Sequence, residues 1–287
     1  MSDTVSIVLM GGLGNQLFQI FTLISYSIDN NKLFEINDHT KNMGITRSDY
    51  WSNFLSSLAI NVISNDDWRN KRIYMEKSHE YTPIRNIPTS FTLFGYFQTF
   101  KYFEHNLQSI KHIINYQEKY SYVANKYFSS YIPINKTPIS IHFRVGDYKD
   151  KQDCHPVMQL NYYINALKYI FKDDFRTNNH ILFFFEEQDY DYVMNKFIIP
   201  IKHFEFPGGL NITFQNIDHT IPDWEQMILM SKCKHNIIAN SSFSWWGAYL
   251  NENEGKKICY PEKWFGPKLL EKNTNDMFPS SWNKIHC

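Results

Sequence analysis

The sequence is poor in cysteine and has no net charge. Its four cysteines lie far apart along 287 residues and form no C-x-x-C pair, which excludes a zinc ribbon and a dense disulfide framework. The 29 Lys and Arg residues are balanced by 29 Asp and Glu residues. Because this balance leaves no general positive field, we expect no nucleic-acid partner.

Long hydrophobic runs are also lacking. The N-terminal stretch "MSDTVSIVLMGG" contains an acidic residue and only a few apolar positions before its glycines, too few for a signal-peptide core or a membrane span. We therefore expect no transmembrane segment and a cytoplasmic location. Hydrophobic residues nevertheless make up 43% of the chain, which suffices for a sizeable core, and the length suits two domains.

Three glycines follow the first predicted strand, in the stretch "IVLMGGLGNQLFQI". Apolar residues at helical spacing then predict a helix over 16–29. A dinucleotide fingerprint would need a third glycine after Gly12 and Gly14, where this chain has Leu17. The missing third glycine weakens a nicotinamide-binding interpretation of this loop.

The C-terminal half alternates strands with helices, a pattern typical of a parallel sheet with crossover helices. A proline-containing stretch near residue 130 suggests a linker, so we predict domains at 1–133 and 134–287. Strands are predicted at 138–144, 180–185, 203–206, 235–239 and 257–260, and helices at 160–172, 190–198, 222–232 and 243–252. The pattern is weaker in the N-terminal half, where it predicts helices near 50–60 and 99–115 and shows an apolar run at 91–97.

Ligands of such sheets bind beyond the carboxyl ends of the strands, and one predicted strand ends in "HFRVGD". His142 and Arg144 point to the same side of an extended chain, and Asp147 follows a glycine turn. An arginine fork can bind phosphate oxygens in two-pronged fashion, which suits a diphosphate. The alternative is that Arg144 and Asp147 only pair with each other to close the turn.

A second predicted strand ends in small polar residues where a helix begins. The N–H groups at a helix start can hold an anion, although serines there can also act as plain helix caps. The residues concerned are Asn240, Ser241, Ser242, Phe243 and Ser244.

Acidic residues follow the predicted strand at 180–185. Asp189 and Asp191 match the D-x-D pattern that holds a divalent cation in metal-dependent glycosyltransferases, but acidic residues are also common at helix starts. Glu186 and Glu187 lie nearer the strand end and could accept hydrogen bonds from a base or a ribose.

Five segments together resemble the α-1,2-fucosyltransferases, the inverting GDP-fucose-dependent enzymes of glycosyltransferase family 11. The resemblance covers most of the chain, in the right order and spacing. It implies a GT-B-like α/β fold, with two Rossmann-like domains facing each other across a cleft. The segments are "MGGLGNQLFQI", "GYFQTFKYF", "HFRVGDY", "MSKCKHNIIANSSFSWWGAYL" and "YPEKWF".

The same resemblance implies how the donor is bound. Residues 134–287 would hold GDP-fucose without a metal or a further cofactor, Arg144 would reach the diphosphate, and the acceptor glycan would lie on the side of 1–133. The family usually carries Ser-Asp-Asp where this chain has Glu186, Glu187 and Gln188, which makes Glu187 the candidate for the guanine edge. The candidate donor-binding residues are Gly12, Gly14, Asn15, Gln16, His142, Arg144, Glu187, Asn240, Ser241, Ser242, Phe243 and Ser244.

The implied reaction moves L-fucose from GDP-β-L-fucose to the 2-hydroxyl of a terminal galactoside, with inversion. Arg144, His142 and Asp147 are the catalytic candidates. Asp147 is favoured as the general base, His142 is the second candidate for that role, and Asp38 and His39 are further candidates.

Three other functions remain open on sequence grounds. The first is a metal-dependent transferase that uses the D-x-D pattern. The second is a glycan-binding protein without turnover that presents Trp245, Trp246 and Trp264. The third is a nucleotide-sugar oxidoreductase, for which the third glycine of the fingerprint is missing.

Overall fold

The chain forms two compact α/β units, each built on a parallel sheet. The computed structural model describes residues 3–38, 50–63, 68, 70–172, 178–206 and 210–286. One unit comprises 1–120 together with 272–279, and the other comprises 121–271 together with 280–287. The predicted boundary between 133 and 134 thus falls inside the second unit.

The first unit has a five-stranded sheet in the order β3-β2-β1-β5-β4, and every strand pairs in parallel with its neighbours. The central strand β1 is buried, and α1 follows it directly, as predicted, although the helix starts earlier than residue 16. The elements are β1 (Thr4–Val8), α1 (Leu13–Asn30), β2 (Leu33–Asn37), β3 (Val62–Ile63), β4 (Arg72–Met75), β5 (Phe91–Phe94) and α2 (Leu107–Ile113).

The second unit has a six-stranded parallel sheet in the order β11-β10-β9-β6-β7-β8. Its chain winds outward from β6 in both directions, so the strand order reverses between β6 and β9, as in a Rossmann fold. Helix α3 (Tyr116–Tyr131) begins in the first unit and continues into the second. The remaining elements of the second unit are β6 (Thr137–His142), α4 (Leu160–Phe171), β7 (Asn179–Phe184), α5 (Tyr190–Val193), α6 (Ile199–His203), β8 (Ile212–Asn216), α7 (Asp223–Lys232), β9 (His235–Ile237), α8 (Ser242–Tyr249), β10 (Ile258–Pro261) and β11 (Asn283–Ile285).

The predicted strand at 203–206 is wrong. His203 ends α6, the next three residues lie outside any helix or strand, and the strand that pairs with β7 is β8. Phe204 and Phe206 are spaced as on one face of a strand, but their rings contact each other at 4.8 Å between centroids. Phe206 also packs on Phe171 at the end of α4, so these aromatic residues cover a helix.

The segment around residue 130 contains a long helix that the sequence did not predict. Helix α3 ends at Tyr131, and the proline-containing connection that follows is short. The region near 50–60 has turns and a 3₁₀ helix at Ser56–Asn61 in place of the predicted α-helix. In the predicted helix at 99–115, only Leu107–Ile113 is α-helical, after two short 3₁₀ turns.

The segment 272–279 belongs to the first unit because its polar groups bind there. Asp276 accepts hydrogen bonds from the Tyr81 N–H at 3.0 Å and from the Lys101 ammonium group, and its carbonyl accepts one from the Thr99 hydroxyl at 2.5 Å. The Lys101 hydrogen bond is the largest cause of a lowered pKa at Asp276.

Among the described residues, no helix combines the length and the apolar character needed to cross a membrane.

Candidate functional site

Side-chain alternation along β6 separates the core from the candidate site. Ile139, Ile141 and Phe143 enter the hydrophobic core of the second unit. Neighbouring residues of an extended strand point to opposite faces, so His142 and Arg144 lie on the other side. This face is next to the point where the strand order reverses.

Both arms of the Arg144 guanidinium contact carboxylates. One terminal nitrogen lies 2.5 Å from Asp147 Oδ1, and the other pairs with Glu186 Oε1. The guanidinium carbon also lies 5.0 Å from the centre of the Tyr148 ring. The turn-closing pair with Asp147 is therefore present, and Glu186 is a second partner.

Asp147 is less suited to act as a base than the sequence suggested. Its second carboxylate oxygen accepts a hydrogen bond from the Lys151 ammonium at 2.8 Å. Burial alone would raise the pKa of Asp147, but Lys151 and Arg144 outweigh it and hold this pKa below its usual value. A carboxylate bound by two cations is ionised but has little tendency to take a proton.

His142 is buried and neutral. Burial, followed by the nearby charge of Arg144, lowers the pKa of His142 to about 3. Its Nδ1 has no hydrogen-bond partner within the described part of the chain, and its ring lies 5.5 Å from the Phe243 ring. The site therefore contains an uncharged imidazole with one unused polar atom.

The start of α8 completes this edge of the sheet. Ser241 is the N-cap residue, yet its side chain makes no capping bond to any described residue, and Ser244 Oγ bonds back to the Ser241 carbonyl. The expectation that serine side chains cap the helix is thus not met at the N-cap itself. Tyr148, which contacts Arg144, donates its hydroxyl to the Asn240 carbonyl at 3.2 Å, which ties the β6 loop to the start of α8.

Asn240 holds neighbouring loops together. Its amide nitrogen donates to the carbonyls of Pro156, at 2.9 Å, and Trp264, at 3.1 Å. Its Oδ1 is buried and lacks a partner among the residues that the structure covers. Asn240 therefore fixes the loop through its amide nitrogen, and its predicted contact with the donor stays a prediction.

The two carboxylates of the D-x-D pattern lie in different environments. Asp189 is 3% exposed and accepts hydrogen bonds from the Gly146 N–H at 2.6 Å and from the Lys149 ammonium at 2.7 Å. Asp191 lies two residues further on, on the exposed surface of α5. Since both oxygens of Asp189 are used to hold the β6 loop, a structural role accounts for it.

The tryptophans proposed as a glycan-binding platform are buried, which corrects that interpretation. Trp245 and Trp246 are each 0% exposed, and Trp264 is 5% exposed. Trp245 stacks on Tyr249 with centroids 4.6 Å apart. These rings pack the core behind α8 and offer no surface to a sugar.

In the first unit, the glycine loop is shaped by one strained position and one close contact. Gly11 has φ +78°, and a Cβ there would lie 2.2 Å from the Asn15 amide nitrogen, so only glycine fits. Asn15 Oδ1 accepts a hydrogen bond from Gln98 Nε2 at 2.7 Å. Gly12 is the N-cap of α1, and Gly14 is buried in its first turn.

Two glutamines, one helical turn apart, fix this loop. Gln16 Nε2 donates to the Gly11 carbonyl at 3.1 Å. Gln19 accepts from the Met10 N–H at 3.0 Å and donates to the Gly95 carbonyl at 2.9 Å. Gln16 thus supports the loop from within, and its predicted contact with the donor stays a prediction.

Three residues important to these arrangements were missed or given little weight by the sequence analysis. Glu186, not Glu187, pairs with Arg144, while Glu187 is exposed at the start of a 3₁₀ turn. Tyr148 and Gln98 were quoted within motifs but given no role. The candidate base His39 lies outside the described residues, and the indole of Trp51 donates to Asp38 at 2.7 Å.

The second unit thus offers a charged fork, a neutral imidazole and a helix N-terminus along one sheet edge. The fork and the helix N-terminus both favour a ligand that carries phosphate. The oxyanions of a diphosphate could accept hydrogen bonds from the guanidinium and from backbone N–H groups.

Curated relatives transfer sugars. The chain is 30% identical to the Escherichia coli O-antigen biosynthesis glycosyltransferase WbnK over 215 residues, which cover 72% of this chain and 67% of the relative. It is 27% identical to an α-1,2-colitosyltransferase of Escherichia coli, with 96% and 97% of the two chains covered.

The fold is also similar to that of a solved structure. An arginine-to-lysine mutant of Arabidopsis thaliana FUT1 in complex with GDP aligns with a TM-score of 0.51 and 12% identity, covering 99% of this chain and 76% of that chain. Two parallel-sheet α/β units are the architecture of GT-B-like transferases, which confirms the predicted fold class.

A family model described as glycosyl transferase family 11 matches residues 2–286. Together with the site at the carboxyl edge of the second sheet, this match gives the conclusion that the chain belongs to glycosyl transferase family 11 and is a glycosyltransferase.

Proposed function

We propose that this enzyme transfers L-fucose from GDP-β-L-fucose to the 2-hydroxyl of a terminal galactoside, with inversion and without a metal ion. The observation that carries the proposal is the position of Arg144, at the point of strand-order reversal and linked through Tyr148 to the start of α8. Family membership and the GDP-bound FUT1 structure of the same fold support it.

In this mechanism the second unit stabilises the leaving group. The glycosidic bond to the diphosphate breaks as the acceptor hydroxyl attacks, and negative charge develops on the departing GDP. Arg144 and the N–H groups at the start of α8 would stabilise that charge without having to reorganise. His142 is neutral beside Arg144, so the positive charge offered to the diphosphate comes from the guanidinium and the start of α8.

Deprotonation of the acceptor requires only a weak base because the leaving group is good. Asp147 remains our proposal for this role, and its lowered pKa keeps it ionised. To accept the proton it would have to exchange its contact with Lys151 or Arg144 for one with the acceptor hydroxyl. Donor-side contacts of Asn15 and Glu187 are part of the same proposal.

A second donor is favoured by one observation. The relative that matches almost the full length of this chain is named as a colitosyltransferase. Colitose is the 3-deoxy form of L-fucose. A pocket for one of these sugars therefore differs from a pocket for the other only in the groups that contact a single hydroxyl. GDP-colitose is therefore the alternative donor.

The two donors can be compared directly. Purified enzyme is incubated in EDTA with GDP-fucose or GDP-colitose and a panel of β-galactosides, and the products are analysed by mass and linkage. We expect α-1,2-linked fucose and retained activity in the chelator. Transfer of colitose alone would replace the donor assignment, and activity that depends on added metal would overturn the metal-independent mechanism.

A further inference from the structure

We propose that Glu186 competes with the donor diphosphate for Arg144, so that donor binding displaces this carboxylate and Glu186 sets the affinity for the donor. The inference rests on the proposed function, since it requires a diphosphate at Arg144.

The strand register brings the two side chains together. Strands β6 and β7 are parallel neighbours, and His142 lies level with Phe184. Arg144 and Glu186 each lie two residues beyond the end of these strands, where the Phe143 N–H still donates to the Phe184 carbonyl at 2.9 Å, so the two side chains leave the sheet edge side by side. Their pairing therefore follows from the sheet, and is not a chance meeting of two surface side chains.

Contacts around Glu186 hold its carboxylate against the guanidinium. Glu186 Oε2 accepts a hydrogen bond from Gln188 Nε2 at 2.5 Å. A Cβ at Gly146 would lie 3.2 Å from the same oxygen and 3.6 Å from Arg144 Nη1. The absence of a side chain at Gly146 thus leaves just enough room for this pair.

The exposed fractions of the two side chains indicate which of them moves when the donor binds. The Glu186 side chain is 46% exposed, whereas that of Arg144 is 25% exposed. Glu186 can turn into water, where its charge is well solvated, while Arg144 is held by the Tyr148 ring and Asp147. Asp147 has a second cation, Lys151, and so is not the carboxylate that donor binding displaces.

Electrostatics gives the direction of the effect. A diphosphate at Arg144 would lie beside the Glu186 carboxylate, and like charges in contact repel each other. The separation of an existing ion pair therefore offsets part of the free energy of attraction between Arg144 and the diphosphate. Removal of the Glu186 charge removes that cost.

The test measures GDP affinity by calorimetry at low salt in Glu186→Gln and Glu186→Asp. We expect Glu186→Gln to bind GDP about threefold to fivefold more tightly, the range of a partly exposed ion pair. Donor KM should fall by a similar factor without a rise in kcat, since only binding is improved. Glu186→Asp keeps the charge but withdraws it by one methylene, and should also bind more tightly.

The matched control is Asp150→Asn, which removes one negative charge from the exposed end of the 3₁₀ helix at Gly146–Asp150, in the loop that follows β6. We expect its GDP affinity to stay near that of the wild type. Equal tightening in Asp150→Asn would mean that general charge decides, which overturns the proposal. Unchanged or weaker GDP binding in Glu186→Gln would also overturn it, because Glu186 would then be neutral or would position Arg144 for the ligand.

The two proposals can fail separately. If neither the wild type nor any variant binds GDP, the proposed donor is wrong. If the wild type binds GDP and Glu186→Gln does not differ from it, only the inference on Glu186 is wrong.

Discussion

Arg144 is the side chain on which the proposed chemistry depends most. Its guanidinium is held against two carboxylates and an aromatic ring just beyond the end of β6. The planar guanidinium has five N–H donors. Two carboxylate contacts therefore leave donors for phosphate oxygens even before Glu186 moves.

Replacement of Arg144 by alanine should leave the fold intact and reduce kcat by about 100-fold or more, the scale seen when one preorganised electrostatic stabiliser is lost. Circular dichroism checks the fold, and initial rates at saturating donor check turnover. Arg144→Lys should recover only part of the rate, because a point charge lacks the two-pronged fork. Near-normal turnover of Arg144→Ala would remove this residue from the mechanism.

Sequence motifs identified Arg144 and Asp147 but not the full set of partners. A residue such as Glu186 becomes a neighbour of Arg144 only once the register of β6 on β7 is known. A sequence pattern predicts strands but not which of them pair. For the same reason Gln98 was quoted in a motif and given no role, although it bonds to Asn15.

Among the secondary-structure elements, α1 depends on polar contacts buried beneath the glycine loop. Gln19 is 0% exposed and bridges the Met10 N–H and the Gly95 carbonyl. This side chain therefore joins the end of β1 to the end of β5. An apolar residue at this position would fit the amphipathic pattern but would leave two backbone groups without partners.

Gln19→Leu should lower the free energy of unfolding by about 2–4 kcal/mol, because each unpaired buried polar group costs about 1–3 kcal/mol. Chemical denaturation measures the change. Gln117→Leu on the exposed surface of α3 is the control and should stay within about 0.5 kcal/mol of wild type. A similar small change for Gln19→Leu would show that this bridge contributes little.

The start of β9 carries a pH-dependent element. His235 Nδ1 accepts a hydrogen bond from the Lys257 N–H at 2.8 Å and must be neutral to do so. Burial, with Lys234 and Lys257 adding to it, lowers the pKa of His235 to about 4, compared with 6.5 in the unfolded chain. Between these two values the unfolded state binds more protons, so stability falls as the pH falls from 6.5 towards 4.

His235→Asn keeps an acceptor near the same position but does not titrate. Its unfolding free energy should therefore depend less on pH in that window, by up to about 1.4 kcal/mol per pH unit. Denaturation curves at several pH values between 4 and 6.5 measure the two slopes. Equal slopes would mean that His235 is protonated alike in the folded and unfolded chain.

The regular alternation of strand and helix patterns made the second sheet predictable from the sequence. Elements outside this alternation were predicted poorly. Strands β6, β7, β9 and β10 lie within a residue or two of their predicted starts. The aromatic pair Phe204 and Phe206 shows the same period without forming a strand, because their rings pack on each other and on α4. Helix α3 was missed because its apolar face is weak, so its sequence lacks a clear helical period although the helix forms.

On the scale of the whole molecule, the chain is divided into two α/β units, and the later segment 272–279 belongs to the first. Local sequence patterns cannot predict that the chain returns to the first unit at this segment, because the return depends on a few polar contacts of Asp276. The family match shows the reaction type but leaves donor and acceptor as proposals. The proposed donor site lies in the second unit, at the carboxyl ends of β6 and β9.

The most direct test of this account is a crystal structure of the enzyme with GDP. We predict that the diphosphate contacts Arg144 and the N–H groups at the start of α8, and that Glu186 has moved away from the guanidinium. A diphosphate bound elsewhere, with Arg144 still held between Glu186 and Asp147, would contradict the central claim that this sheet edge is the donor site.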